Sequence, residues 1–213
     1  MGNKDLPLVF VGDEAQPTIA DSTPSQDTTP APDLTSAPPT TGETTATPPE
    51  TNPTSFSAAN ALNDIKNAAS PAIFVQLKLA SDKLKIHTDP LNFSITTNKG
   101  GHLTVLQVGS DGKTFNRLFP NDKDQDDFIN PGVTILPRPS WQIKAGGPAG
   151  TSYLLAIISD APKDFSKGMK VAGPFRTSSG SKGAKNLYIE ATQSNEGPKG
   201  IYGASEVIPV QEY

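Results

Sequence analysis

The sequence predicts a mainly β protein: an antiparallel β-sandwich or partly open barrel with one short N-terminal helix, preceded by a disordered Pro/Thr-rich linker. Three observations lead to this prediction. Apolar and polar residues alternate along several short runs, Gly and Pro separate those runs, and the first quarter of the chain has few large apolar side chains. A period of two is typical of strands with one wetted face, and runs of about four to eight residues are too short for ordinary helices.

The predicted division is an acidic linker over residues 1–54 and a single β-rich domain over residues 55–213. Between Asp13 and Pro53 the only large apolar residues are Ile19 and Leu34, which bury too little surface to offset the entropy of ordering the chain. The preceding run Leu6–Val11 is apolar and compatible with a short strand. It is far too short to span a bilayer, so we expect any membrane anchor to lie upstream of residue 1.

Charge and composition exclude several classes of protein. Residues 1–54 carry a net charge of −7 and the remaining residues +3, which together give the −4 of the chain. A domain so nearly balanced lacks the basic surface that nucleic-acid binding requires. The chain has no cysteine, which excludes disulfides, thiolate metal sites and a cysteine nucleophile.

The predicted elements follow the linker in order. A helix is predicted from Ser57 to Ala69, because four apolar residues recur on one face at helical spacing. Alternating or continuous apolar runs then predict strands, and Asn98–Gly101 is predicted to close a hairpin. The segment Ser178–Lys185 is predicted to be a mobile hairpin tip. The predicted strands are at 73–79, 84–87, 91–96, 103–108, 115–119, 153–158, 187–191 and 207–210.

The acidic run after Pro120 is one candidate binding site. Asp122, Asp124 and Asp126 alternate as the ligands of cation loops do, but Asp127 and Val133 stand where a helical calcium loop needs Gly and Glu. A solvated turn is therefore the favoured interpretation over a metal site.

Arg138 and Trp141 form a second candidate. A tryptophan beside an arginine can stack on a ligand, although a lone tryptophan more commonly anchors a core. The chain has two histidines, His87 and His102, and contains no GxSxG, HExxH or SxxK motif. Hydrolase chemistry therefore has little support, and no catalytic residue and no cofactor is predicted.

A series of motifs recurs in order along the second half of the chain: Leu118–Asn121, Asp126, Ile129, Gly132, Leu136–Arg138, Trp141, Gly146–Thr151, Ile157–Phe165 and Tyr202–Ala204. Over about residues 72–212 these motifs resemble those of an uncharacterised bacterial domain. That domain occurs at the C-terminus of transmembrane serine/threonine kinase-like proteins encoded with type VI secretion systems, and in some lipoproteins and peptidase-like proteins. At Asp127 the family more usually has Asn.

The resemblance implies a periplasmic domain, tethered through an upstream membrane helix, that binds a protein partner in the envelope or the secretion apparatus. The kinase motifs themselves are absent from this chain. The leading prediction is a non-enzymatic sensor or protein-interaction domain, with Arg138, Trp141, Asp122, Asp124 and Asp126 as its binding surface. The alternatives are an envelope glycan or small-ligand module, for which Trp141 is the support, and a hydrolase or metalloenzyme.

Overall fold

The structure, a computed structural model, describes residues 57–193 and 200–213. The linker predicted over residues 1–54 and the apolar run Leu6–Val11 lie outside these ranges. Neither helix within them is long and apolar enough to cross a membrane.

The described residues form two helices and twelve strands. The helices are α1 (Ala58–Asn67) and α2 (Gly180–Thr192). The strands are β1 (Val75–Leu79), β2 (Lys83–Leu84), β3 (Phe93–Thr97), β4 (Gly101–Val108), β5 (Thr114–Phe119), β6 (Phe128–Ile129), β7 (Gly132–Leu136), β8 (Gly150–Ser159), β9 (Lys170–Ala172), β10 (Phe175–Ser179), β11 (Tyr202–Ala204) and β12 (Ile208–Glu212).

The strands form two sheets, and neither closes into a barrel. The smaller sheet is antiparallel with the order β1-β3-β7. The larger sheet has the order β2-β12-β8-β4-β5-β10-β9, with β11 added to β8 and β6 added to β4. Its β12–β2 pair is parallel, whereas β4, β5, β8 and β10 pair antiparallel. The prediction of a mainly β fold is confirmed.

The larger sheet is buried on both faces. On β8, Leu154, Ala156 and Ile158 face a core shared with the smaller sheet, and Leu155 and Ile157 face a second core shared with the helices. A strand covered on both sides needs apolar residues at every position, which explains the unbroken run in the sequence. The layers are therefore small sheet, large sheet and helix pair.

A bulge in β5 turns Phe119 toward the core between the sheets. Val105 pairs with Phe119 and Leu106 pairs with Arg117, so Leu118 is an extra residue on β5. As a result Leu118 and Phe119 both pack between the sheets, while Phe115 packs under the helices.

The helix predicted from Ser57 is confirmed, and it ends slightly earlier than predicted. The hydroxyl oxygen of Ser57 accepts a hydrogen bond from the amide of Asn60 at 3.4 Å, as an N-cap does. Ala58, Leu62 and Ile65 are its buried residues, so the predicted apolar face packs on the larger sheet.

The second helix corrects the prediction of a single helix. Residues 178–185 were predicted to be a hairpin tip and residues 187–191 a strand, but α2 runs through both segments. Gly183 lies where α2 crosses β10. A Cβ there would lie 2.8 Å from Ser178 Oγ and 3.4 Å from Phe115, so this close packing requires a glycine. Because glycine has a low helix propensity, it weakens the prediction of a helix from the sequence.

Two further connections differ from the prediction. Asn98–Gly101 does not close a hairpin, because β3 belongs to the smaller sheet and β4 to the larger one. The segment between the predicted strands 115–119 and 153–158, where no strand is predicted, contains β6 and β7. β7 was missed because Val133 and Ile135, 67% and 71% exposed, face solvent from an edge strand, where no polar alternation marks the wetted face.

Candidate functional site

Three of the five predicted binding residues meet in one cluster. The carboxylate of Asp124, 9% exposed, accepts a hydrogen bond from Arg138 Nη1 at 2.6 Å and another from Trp141 Nε1 at 2.9 Å. Arg138 Nη1 also donates to the carbonyl oxygen of Asp126 at 2.9 Å. The cluster thereby ties the acidic loop to the segment that follows β7.

The indole of Trp141 lies in the core between the sheets, with 8% of the residue exposed. Its ring stacks on Phe119, with centroids 6.3 Å apart and planes 8° apart, and meets the edge of Phe175 at 6.4 Å. The guanidinium of Arg138 lies 5.4 Å from the centroid of Phe119. The indole thus contacts two aromatic rings and its N–H has a carboxylate partner, as a core anchor has.

The carboxylates of Asp122 and Asp126 lie outside this cluster. Asp122 pairs with Arg176 on β10 through two hydrogen bonds of 2.8 and 3.1 Å, and the side chain of Asp126 is exposed. In the described part of the chain, no group of three or more His, Asp or Glu side chains could hold a metal ion. Ligand or partner binding by the five residues stays a prediction.

His102 has the orienting carboxylate that an acid–base site needs. Its Nδ1 lies 2.9 Å from Asp127 Oδ1, and Ser159 pairs with it across β4 and β8. The Ser159 hydroxyl, however, donates to the backbone carbonyl of His102 at 3.4 Å. Among the described residues no serine or threonine hydroxyl bonds to the imidazole, and His87 is an exposed residue with φ of +61°.

Arg117 is a half-buried cation beside this pair. Burial lowers its pKa, an effect that the neighbouring Asp164 opposes and Arg176 reinforces. Its Nε is buried without a hydrogen-bond partner. Because Asp122, Asp127 and Asp164 surround it, the local charge does not favour a bound anion.

The comparisons with known proteins identify a domain in the middle of the chain. Residues 86–162 match the family model described as a domain of unknown function (DUF4384). No curated protein and no solved structure gives a significant match. DUF4384 covers β3 to β8, including Asp124, Arg138 and Trp141, so the expected resemblance to an uncharacterised domain is confirmed for these residues.

A groove of about 490 Å³ runs along β1, outside the DUF4384 match. We call it the β1 groove. It begins where Ile73 and Gly203 are in close contact. A Cβ on Gly203 would lie 2.3 Å from the carbonyl oxygen of Ile73. A salt bridge of 2.9 Å between Lys66 and Glu206 stands at its wall. Its lining comprises Lys66, Ala69, the stretch Ile73–Leu77, Ala204, Glu206 and Ile208, with Ser70 and Pro71.

The edge of β1 that faces the groove carries backbone groups without a strand partner. Phe74 accepts a bond from the amide of Asn98, and the amide of Ala80 donates to Asn92, so even-numbered residues of β1 bond toward β3. Successive residues of a strand point their N–H and C=O groups in opposite directions. Those of Val75 and Leu77 therefore point into the β1 groove, where none of the described strands pairs with them.

The sequence predicted β1 and its faces but not the groove. Val75 and Leu77 are buried and Phe74, Gln76 and Lys78 are exposed, as their alternation indicates. Which edge of a strand stays open depends on its neighbours in the sheet, and these come from residues far away in the chain. The one signal available in the sequence is Phe74, a large apolar residue on the wetted face.

Proposed function

We propose that this chain carries a non-enzymatic protein-interaction domain, which binds an extended segment of a partner protein by adding it to β1 as a further strand. The observation that carries the proposal is the open edge of β1 beside an apolar groove. A partner strand would supply acceptors and donors for Val75 and Leu77, and such main-chain bonds give strand addition its affinity.

The groove defines the chemistry of this segment. Side chains of an added strand alternate between two faces. Those on the face of Val75 and Leu77 would lie over Ala204 and Ile208, so they should be apolar. Those on the opposite face would lie beside Phe74, which is 52% exposed, and near Gln76. We therefore propose a partner segment with apolar residues at every second position.

The setting of this domain is a further part of the proposal. We propose that it lies in the periplasm, as part of a type VI secretion-linked kinase-like membrane protein, and that its partner belongs to the envelope or the secretion apparatus. The motif resemblance described above supports this setting. The coding sequence upstream of residue 1 tests it: a membrane span preceded by a kinase domain is expected, and a chain with neither would contradict it.

No reaction is proposed for the His102–Asp127 pair. Asp127 orients the imidazole, but the hydroxyl opposite it, Ser159, bonds to a backbone carbonyl and is 2% exposed. An acyl-transfer site needs a nucleophile within hydrogen-bond reach of the base.

The test is selection of binding peptides from a randomised library, followed by matched variants. Ile208→Asp places a charge on the floor of the β1 groove, whereas Ile135→Asp makes the same change at an exposed position on β7, at the other edge of the smaller sheet. Selected peptides should alternate apolar residues, lose binding to Ile208→Asp by at least tenfold, and bind Ile135→Asp normally. Circular dichroism confirms that both variants fold.

Two outcomes would contradict the proposal. Peptides that bind Ile208→Asp as tightly as the unchanged protein would place the contact elsewhere. Peptides whose amide signals show bonding to neither Val75 nor Leu77 would exclude strand addition.

A further inference from the structure

The β1 groove and the apolar run Leu6–Val11 have complementary properties. The groove requires an extended segment with apolar residues at alternate positions, and Leu6, Leu8 and Phe10 alternate in this way. No other stretch of residues 1–54 contains such a run, since Ile19 and Leu34 are isolated among polar residues and prolines.

We propose that Leu6–Val11 occupies the β1 groove of its own chain, as an antiparallel strand beside β1, until a partner segment displaces it. This inference rests on the proposed function, because it concerns the same open edge. It adds a regulator: a tethered competitor supplied by the protein itself.

The length of chain between the two parts permits this contact. Residues 12–56 join the run to α1, and a chain of about 45 residues spans up to about 150 Å when fully extended. That reach exceeds the dimensions of a domain of this size, so the length of the tether allows the contact. Residues 1–54 and the remaining residues carry opposite net charges, −7 and +3, which attract each other.

Pro7 determines which face of the strand points into the groove. In an antiparallel pair, the residues that bond to Val75 and Leu77 must each offer an N–H, and their side chains lie on the same face as Val75 and Leu77. Pro7 has no N–H, so Pro7, Val9 and Val11 must face outward. Leu6, Leu8 and Phe10 then face Ala204 and Ile208.

This orientation supplies a matched pair of variants. Leu8→Asp combined with Phe10→Asp places two carboxylates in the apolar groove and should release the strand. Val9→Asp combined with Val11→Asp makes the same change in charge on the outward face and should leave the strand in place. Both pairs leave every residue of β1 and of the groove lining unchanged.

The measurement is amide hydrogen exchange of β1 in the full chain. The amides of Val75 and Leu77 report the groove, and those of Gln76 and Lys78, which bond to β3, serve as internal references. In the unchanged chain and in the Val9→Asp/Val11→Asp chain, all four should be protected. In the Leu8→Asp/Phe10→Asp chain, Val75 and Leu77 should exchange at least tenfold faster, and the references should not change.

Equal exchange of Val75 and Leu77 in the unchanged and the Leu8→Asp/Phe10→Asp chains would overturn the self-docking inference. A synthetic peptide of residues 5–12, added to the Leu8→Asp/Phe10→Asp chain, separates this result from the proposed function. If self-docking fails but the peptide protects Val75 and Leu77, the edge still accepts a strand and only the regulator is lost. If the peptide also gives no protection, the proposed strand addition at β1 is contradicted as well.

Discussion

Replacing Asp124 with asparagine should destabilise the fold by about 2–4 kcal/mol. The carboxylate accepts hydrogen bonds from Arg138 and Trp141, and bonds to charged groups contribute about 1.5–3 kcal/mol each. Asparagine keeps one acceptor oxygen but turns its NH₂ group toward the other donor, so about one bond is lost and a repulsive contact is added. The side chain of Arg138 is 30% exposed, which lowers the contribution of its hydrogen bond to the free energy of unfolding.

The assay is urea unfolding followed by circular dichroism and by the fluorescence of Trp141, the one tryptophan in the chain. Asp126→Asn is the control, because this exposed side chain should change stability by less than about 0.5 kcal/mol. A double-mutant cycle with Trp141→Phe, which removes the indole N–H, should show a coupling of about 1–2 kcal/mol with Asp124→Asn. If Asp124→Asn behaves like Asp126→Asn, or the coupling is zero, the cluster does not hold the loop.

Three further outcomes are expected. Gly183→Ala should lower the free energy of unfolding by about 1–3 kcal/mol, since its Cβ would meet Ser178 and overpacking outweighs the gain in helix propensity. Lys182→Ala, on the exposed side of α2, is the control, and urea unfolding measures both variants. Burial raises the pKa of Tyr202 from 10.0 to about 12, so its contribution to the free energy of unfolding is complete below pH 10 and is lost as the pH rises through about 12. Tyr202→Phe should not show this loss at alkaline pH. At neutral pH it should lower the free energy of unfolding by about 1–2 kcal/mol, because the hydroxyl no longer donates a hydrogen bond to the carbonyl oxygen of Ile65. Cell-wall fragments should leave the melting temperature unchanged, whereas a saturable rise would support the glycan-binding alternative.

Local patterning was sufficient for much of the fold. The alternation in β1 and β3 and the continuous run in β8 reflect burial on one face or on two, and burial follows from residue type. α2 could not be read in this way, because Gly183 is required by the approach of β10 and not by the helix itself. In that segment tertiary packing overrides local propensity.

The candidate site was predictable in its members but not in its arrangement. The alternating acidic run predicts Asp124, and the tryptophan beside an arginine predicts Arg138 and Trp141; the structure brings the three together. The sequence does not reveal that Asp124 turns inward, since its partners lie 14 and 17 residues away. The open edge of β1 is a property of sheet order, which is set by contacts between distant segments.

The loop between β5 and β6 is held from three directions. Its carboxylates contact Arg176 on β10, Arg138 after β7 and His102 on β4. Proteolysis of a folded domain requires local opening of the chain around the cleaved bond. Lys123, although exposed, should therefore resist digestion until the whole domain unfolds, despite lying in a segment whose composition suggests an accessible turn.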